Sequence, residues 1–130
     1  MGGEVHRLSL SGIRAIIVEN NFTVAQSLKW MLESYGCEIT GMVATPDAAL
    51  ELIARVPFDV ALLDVQLAGG SAAPVATRIN ERGGKAIYVT GYADLDMLPP
   101  ELRSFPRLVK PVDPELLLST ILDVVGPRGE

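Results

Sequence analysis

Residues 60–65 read Val-Ala-Leu-Leu-Asp-Val, a short apolar run that ends on an acidic side chain and a valine. Four apolar residues suffice for a buried strand but are too few for a helix. Similar runs occur at residues 15–18 and 86–89, and polar side chains follow each of them directly. Between the runs lie segments with helical periodicity, some of which open with residues typical of helix N-caps. This alternation predicts βαβ units.

The same alternation extends along the chain and gives five strands and five helical segments. The strands are predicted at residues 15–18, 38–44, 60–63, 86–89 and 108–109. The helical segments are predicted from a cap at Asn21 or Thr23 to Gly36, and at 46–55, 74–82, 95–103 and 114–125; Pro99 and Pro100 weaken the fourth. Strands that alternate with helices form a parallel sheet covered on both faces, which is a three-layer α/β sandwich. We expect one domain at residues 13–126, between a flexible tail at 1–12 and a short tail at 127–130.

Composition excludes several classes of protein. Apolar residues make up 48% and charged residues 21% of the 130 residues, which is typical of an ordered globular domain. The net charge of -5 and the scattered 11 basic residues argue against direct nucleic-acid binding. One cysteine, Cys37, cannot form an internal disulfide, and no stretch has the length of a membrane span. We therefore expect a cytoplasmic protein that acts without nucleic acid or membrane.

Polar side chains follow the predicted strands at the edge where ligands bind. In an open α/β sheet this edge lies outside the carboxyl ends of the strands. The residues there are Glu19 and Asn20 after the first strand, Asp64 after the third, Thr90 after the fourth and Lys110 after the fifth. Two carboxylates, an amide, a hydroxyl and an ammonium would converge there.

These residue types suit phosphoryl transfer. A carboxylate such as Asp64 can act as the nucleophile and form an aspartyl-phosphate. Mg²⁺ prefers oxygen ligands, so Glu19, Asn20, Asp64 and the backbone carbonyl of Gln66 are the candidate ligands. Lys110 can meet phosphate oxygens as a point charge, and the Thr90 hydroxyl can donate to a phosphoryl group.

The chain resembles the receiver domain of two-component response regulators. The matching stretches are Ile-Ile-Val-Glu-Asn at 16–20, Leu-Leu-Asp-Val at 62–65, Val-Thr-Gly-Tyr-Ala at 89–93 and Val-Lys-Pro at 109–111. The resemblance implies a flavodoxin-like (CheY-like) five-stranded sheet in the order 2-1-3-4-5. It also implies a phosphoacceptor aspartate at Asp64 and a histidine kinase or histidine phosphotransfer protein as donor. Thr90 and Lys110 would sense the phosphoryl group, and the Lys110–Pro111 bond would be cis.

Two positions depart from the family pattern. The second acidic residue after the first strand is replaced by Asn20, which removes one formal charge from the metal site. A charge pair about 4 Å apart is worth about 1 kcal/mol in water and about 4 kcal/mol at an effective dielectric of about 20, so we expect weaker Mg²⁺ binding. The aromatic residue that the family often has three positions before the lysine is Arg107. Signal transmission through that aromatic is therefore excluded.

Each site residue also has an ordinary structural interpretation. Asp64, Glu19 and Asn20 are residue types common in turns, Thr90 is β-branched and suits a strand, and Lys110 could serve only as a structural ion pair with Asp64. Gln66 and Tyr92 are candidates for controlling access to the site.

Two apolar side chains fall outside the predicted core. At 100° per residue Trp30 lies on the polar face of the first helix, and Leu116 lies outside the apolar arc of the last helix. With Arg107 they form a candidate surface for an unidentified downstream protein or for a homodimer. The alternative for Trp30 is that Leu8 and Leu10 fold back over it.

Three functions follow from this pattern. The first is a phosphorylated signalling domain, and the second is an interaction module of the same fold that works without phosphorylation, as Asn20 and Arg107 suggest. The third is a phosphatase with the same aspartyl chemistry. Such enzymes need a second aspartate two residues after the nucleophile, where Gln66 stands, and an amide cannot act as that general acid. We therefore expect a domain that is not an enzyme in its own right, except toward its own phosphorylation.

Overall fold

The architecture is an α/β sandwich around a five-stranded parallel sheet, seen in a computed structural model that describes residues 9–91 and 98–126. In chain order the strands are β1 Arg14–Val18, β2 Glu38–Val43, β3 Val60–Leu63, β4 Gln66–Leu67, β5 Gly70–Ser71, β6 Ala86–Thr90 and β7 Arg107–Val109. The helices are α1 Phe22–Ser34, α2 Pro46–Arg55, α3 Ala73–Glu81 and α4 Pro114–Val125, with a 3₁₀ turn at Pro100–Leu102. Within these residues, no helix combines the length and apolar character that crossing a membrane requires.

The large sheet has the order β2-β1-β3-β6-β7, and all its pairings are parallel. Counting only the strands of this sheet, the order is 2-1-3-4-5, as predicted for a flavodoxin-like fold. Two apolar clusters, one on each face, form the core. One contains Ile17, Leu28 and Leu117 under α1 and α4, and the other contains Ile16, Ile53 and Ile79 under α2 and α3.

Side-chain caps begin three of the helices, as the sequence indicates. Asn21 accepts a hydrogen bond from the amide of Val24, Thr45 from that of Ala48 and Asp113 from that of Leu116. Asn21, rather than Thr23, is therefore the cap of α1. The Lys110–Pro111 bond is cis, which confirms the prediction.

The sequence did not predict the small antiparallel hairpin β4–β5, which follows Asp64. The amide of Ala68 in its turn donates to the carbonyl of Ala44 at 3.1 Å, and the amide of Ala72 donates to that of Val65 at 2.8 Å. Two-residue strands carry no periodicity from which they could be recognised. The hairpin ties the chain after Asp64 to the junction between β2 and α2.

The predicted helix at 95–103 needs correction. Its described part is a short 3₁₀ turn at Pro100–Leu102, and residues 92–97 lie outside the described residues. Pro99 and Pro100 remove amide donors and so prevent α-helical hydrogen bonding at this point.

The predicted tail at residues 1–12 also needs correction at its end. Leu10 is fully buried in the core, and its amide donates to the carbonyl of Tyr35 at 2.8 Å. The folded unit therefore begins before residue 13, while residues 1–8 lie outside the described part of the chain. Glycines at positions 2, 3 and 12 are typical of a flexible tail, and for this reason the sequence did not indicate that Leu10 packs in the core.

The edge strand β2 contains a bulge. Ala15 is paired with Ile39 and Ile16 with Gly41, so Thr40 is an extra residue on β2. Its hydroxyl donates to the carbonyl of Pro57 at 3.2 Å. A Cβ on Gly41 would lie 2.6 Å from a methyl of Leu52, which shows that α2 packs closely against the face of β2.

Candidate functional site

The carboxyl ends of four adjacent strands hold the candidate residues in place. The backbone ladder continues past the strands, since the amide of Asp64 donates to the carbonyl of Val18 at 2.9 Å and that of Lys110 to Thr90 at 2.9 Å. The amide of Glu19 donates to the carbonyl of Val43 at 3.0 Å. These hydrogen bonds fix the backbone from which each functional side chain projects.

Lys110 lies between two buried carboxylates. Its Nζ is 3.1 Å from Oε1 and 3.2 Å from Oε2 of Glu19, and 3.3 Å from Oδ2 of Asp64. The side chains of Glu19 and Asp64 are 1% and 6% exposed, against 27% for Lys110. The structure thus brings the acid of β1, the acid of β3 and the ammonium after β7 to one pocket, as the sequence predicted.

The electrostatic environment keeps Lys110 charged. Burial lowers the pKa of its ammonium, but the hydrogen bond to Glu19 and the charges of both carboxylates raise it, and the net pKa lies above the usual 10.5. For Glu19, burial raises the pKa above the usual 4.5 and the charge of Asp64 adds to this, while the amide of Asn21 and Lys110 oppose it. The pocket is therefore a crowded acidic site held by one cation.

The amide of Asn21 is a feature of the site that sequence reasoning missed. It donates to Oε2 of Glu19 at 3.1 Å, while the Asn21 side chain caps α1. The residue therefore links the start of a helix to the orientation of a buried acid. The sequence indicated Asn21 as a helix cap. It could not indicate the hydrogen bond to Glu19, because every residue except proline has a backbone amide.

The oxygen atoms around Asp64 are of the chemical type that binds a divalent cation. Among the described residues, Oε1 of Glu19 is a buried oxygen that accepts no hydrogen bond; its contact with Lys110 is an ion pair without hydrogen-bond alignment. Oxygen donors of this kind suit Mg²⁺. The described residues contain no group of three acidic, histidine or cysteine side chains that could hold a metal ion. Asn20, at the position of the missing acid, is exposed.

The remaining candidate site residues differ in their exposure to solvent. Thr90 is fully buried at the end of β6, next to the strand that carries Asp64. Gln66 is exposed on β4, and its amide lies 3.4 Å from Oδ1 of Asp64. Tyr92, the second candidate for controlling access, lies outside the described residues.

The predicted surface residues are exposed. Trp30 is 74% exposed and Leu116 is 52% exposed, and Arg107 is exposed on the edge strand β7. Leu10 belongs to the core and leaves Trp30 uncovered, whereas Leu8 lies outside the described residues. Phe22, which is also 74% exposed, was not predicted. Its position directly after the Asn21 cap, outside the apolar stripe of α1, was the available signal.

An apolar cleft of about 250 Å³ opens beside the acidic pocket. Its walls are formed by α1, the end of β2 and the turn after β1, and they include Phe22, Met42 and Glu19. The cleft leaves room for an apolar group beside Glu19.

Comparison with known proteins gives consistent results. The family model described as response regulator receiver domain matches residues 15–122. An uncharacterized response regulatory protein of Yersinia pestis is 29% identical over 111 residues, which cover 84% of this chain and 47% of that protein. The response regulator protein PilR of Pseudomonas aeruginosa is 30% identical over 128 residues, which cover 93% of this chain and 28% of that protein. The chain thus spans half or less of the length of these relatives.

Among solved structures, a similar fold is found in a CheY-like response regulator receiver domain protein from Methanospirillum hungatei. It superimposes with a TM-score of 0.75 at 29% identity, over 88% of this chain and 93% of that one. The likeness extends to almost the full length of both chains.

Proposed function

Because this chain belongs to the family of response regulator receiver domains, it has a role in two-component signalling, and we propose that its Asp64 accepts a phosphoryl group. The observation that carries the proposal is the contact of Lys110 with both Glu19 and Asp64 at adjacent strand ends. A lone carboxylate after a strand would serve equally well as a turn residue. An acid that is 5% exposed and paired with a lysine from a distant strand is typical of a reaction site.

The proposed reaction is a transfer from a phosphohistidine of a histidine kinase or histidine phosphotransfer protein. A carboxylate oxygen of Asp64 forms a bond to phosphorus as the bond from phosphorus to the imidazole nitrogen breaks, and the imidazole leaves with that electron pair. Transfer of this kind depends mainly on positioning and on charge neutralisation. Lys110 supplies a positive charge 3.3 Å from Oδ2 of Asp64, where negative charge accumulates.

Receiver domains generally bind Mg²⁺ at their acidic pocket, and we propose that Glu19, Asp64, the Asn20 side chain and the Gln66 carbonyl would hold it here. The ion would neutralise phosphoryl oxygens. The single missing carboxylate at Asn20 supports weak rather than absent binding, because two buried acids remain.

The response to phosphorylation would begin at Thr90. Phosphorylation adds about two negative charges and three acceptor oxygens to the pocket, so a neighbouring hydroxyl gains a strong hydrogen-bond acceptor. Thr90 would then shift toward Asp64 and move the chain that follows β6. The access role of Gln66 and Tyr92 belongs to the same proposal, as does a domain that begins before residue 13 and extends to residue 126.

The output would be a contact with another protein. Receiver domains are generally signalling domains rather than enzymes, which fits a role that ends in binding. Trp30, Arg107 and Leu116 are exposed, and we assign them to a surface for an unidentified downstream protein or a second copy of this chain. A module that works without phosphorylation would need none of the Lys110 contacts, so that alternative is not favoured.

Intact-mass spectrometry after incubation with acetyl phosphate and Mg²⁺ tests the proposal. The wild type should gain the mass of one phosphoryl group, and Asp64→Asn should gain none. Asp123→Asn, an exposed aspartate on α4, is the matched control and should behave as wild type. Equal labelling of the Asp64→Asn variant, or no labelling of the wild type by acetyl phosphate or a phosphohistidine donor, would rule out Asp64 as the acceptor.

A further inference from the structure

Strand β6 carries two buried polar side chains on one face, Thr90 and Tyr88. Side chains two residues apart in a strand point to the same side and are separated by about 7 Å. Both residues are 0% exposed. Thr90 lies at the end of the strand, beside the strand that precedes Asp64, whereas Tyr88 packs in the core cluster that includes Leu98 and Leu102. One strand thus reaches from the reaction site to the segment at residues 98–106.

Tyr88 fastens that segment to the sheet through three contacts. Its hydroxyl donates to the backbone carbonyl of Leu102 in the 3₁₀ turn. Its ring meets the edge of Phe105, with the centroids 5.9 Å apart and the planes at 61°. Its amide donates to the carbonyl of Pro106 at 2.8 Å. Burial raises the pKa of the phenol to about 12, so the hydroxyl remains a donor at neutral pH.

The segment has little regular structure of its own. Its described backbone hydrogen bonds include those from Leu102 to Pro99 at 2.9 Å and from Arg103 to Pro100 at 3.1 Å. The strand that follows, β7, has three residues, and its Arg107 is exposed. Because residue 107 is an arginine, no aromatic side chain at that position links the site to segment 98–106. The aromatic link between the sheet and segment 98–106 is Tyr88 instead.

We propose that Tyr88 is a positioning residue that couples the state of Asp64 to the position of segment 98–106. The inference rests on the proposed function, because the movement starts when Thr90 turns toward a phosphoryl group. A shift of the end of β6 changes the direction of the Tyr88 hydroxyl relative to the Leu102 carbonyl. Hydrogen bonds weaken steeply as they lose alignment, so a small shift releases or reorients the segment. Segment 98–106 is then the surface that reports phosphorylation.

The test compares Tyr88→Phe with wild type by hydrogen exchange, with and without beryllofluoride and Mg²⁺. The variant keeps the ring against Phe105 and removes only the hydroxyl. We expect exchange in segment 98–106 of the resting variant to be faster by up to about tenfold, as loss of one hydrogen bond predicts. We also expect the beryllofluoride-induced change in this segment to be lost, while labelling of Asp64 by acetyl phosphate stays at the wild-type level.

Tyr35→Phe is the matched control, because Tyr35 packs against the core cluster on the other face of the sheet. It should keep the beryllofluoride-induced change in segment 98–106. Phe105→Leu, which removes the ring contact but not the hydroxyl, should reduce that change without abolishing it. A merely structural role for Tyr88 would alter the resting exchange and leave the induced change intact.

The outcomes separate the two proposals. Labelling of wild-type Asp64 together with an unaltered induced change in Tyr88→Phe would overturn the role of Tyr88 and leave the phosphoacceptor role in place. Failure of the wild type to be labelled by acetyl phosphate or a phosphohistidine donor would overturn both. Loss of the induced change in Tyr35→Phe as well would also overturn the assignment to Tyr88.

Discussion

The two sides of the acidic pocket are built differently. On one side, β1 and β3 lie inside the sheet, and their acids are held by backbone hydrogen bonds and by Lys110. On the other side, β6 leads to segment 98–106, which contains a 3₁₀ turn and precedes the short edge strand β7. Leu98 and Leu102 anchor this segment in the core, and the Tyr88 hydroxyl donates to the Leu102 carbonyl. The proposed reacting groups thus lie on interior strands, whereas the segment assigned to the response has little regular hydrogen bonding of its own, and such segments open locally at a low cost in free energy.

The largest effect is expected from cavity-forming substitutions, which should destabilise the strand side of the pocket more than segment 98–106. Leu62→Ala in β3, where the side chain is 1% exposed, should cost about 3–4 kcal/mol, as buried leucines in rigid surroundings do. Leu102→Ala, at 8% exposure in the 3₁₀ turn, should cost only about 2 kcal/mol, at the low end of the range for buried leucines, because the surrounding segment can relax into the cavity. Urea unfolding of both variants measures the difference, and equal costs would contradict the contrast in rigidity.

An intermediate effect is expected from adding a charge to the rigid side. Asn20→Asp should raise Mg²⁺ affinity by about tenfold, within the range that one additional charge near the cation provides. Calorimetric titration with Mg²⁺ measures this, and Asn80→Asp, which adds the same charge on exposed α3, should leave the affinity unchanged. If both variants gained equally, the effect would reflect overall charge rather than a site at Asn20.

The smallest expected effect concerns the pH dependence of Glu19. Because its pKa in the folded protein is raised above 4.5, ionised Glu19 lowers stability as the pH rises through and above that value. Glu19→Gln should therefore be more stable than wild type at pH 7, and the difference should shrink as the pH falls below 4.5. Thermal unfolding across this pH range provides the measurement. A variant that is less stable at pH 7 would show that the hydrogen bonds from Lys110 and Asn21 outweigh the burial of the charge.

Much of the site could be predicted because parallel strands end at one edge. Short apolar runs set the strands, and the polar residue after each run is then placed by the fold, which is how Glu19, Asp64 and Lys110 were identified. The exposure of Trp30 could be predicted from helical periodicity, which places it on the polar face of α1.

What could not be predicted depends on contacts between distant backbone atoms. The hairpin β4–β5 is held by amide–carbonyl pairs such as Ala68 to Ala44, and the orientation of Glu19 by the amide of Asn21. Neither leaves a pattern of residue types. Tyr88 did leave a signal, because a phenol inside a buried strand needs a hydrogen-bond partner, but its partner is a backbone carbonyl that no spacing identifies.

The bulge at Thr40 has a consequence for solubility at high concentration. β2 is an edge strand, and an exposed edge offers unpaired amides and carbonyls to a strand from another molecule. The extra residue interrupts the regular spacing of those groups. Strand-to-strand aggregation through β2 is thereby disfavoured.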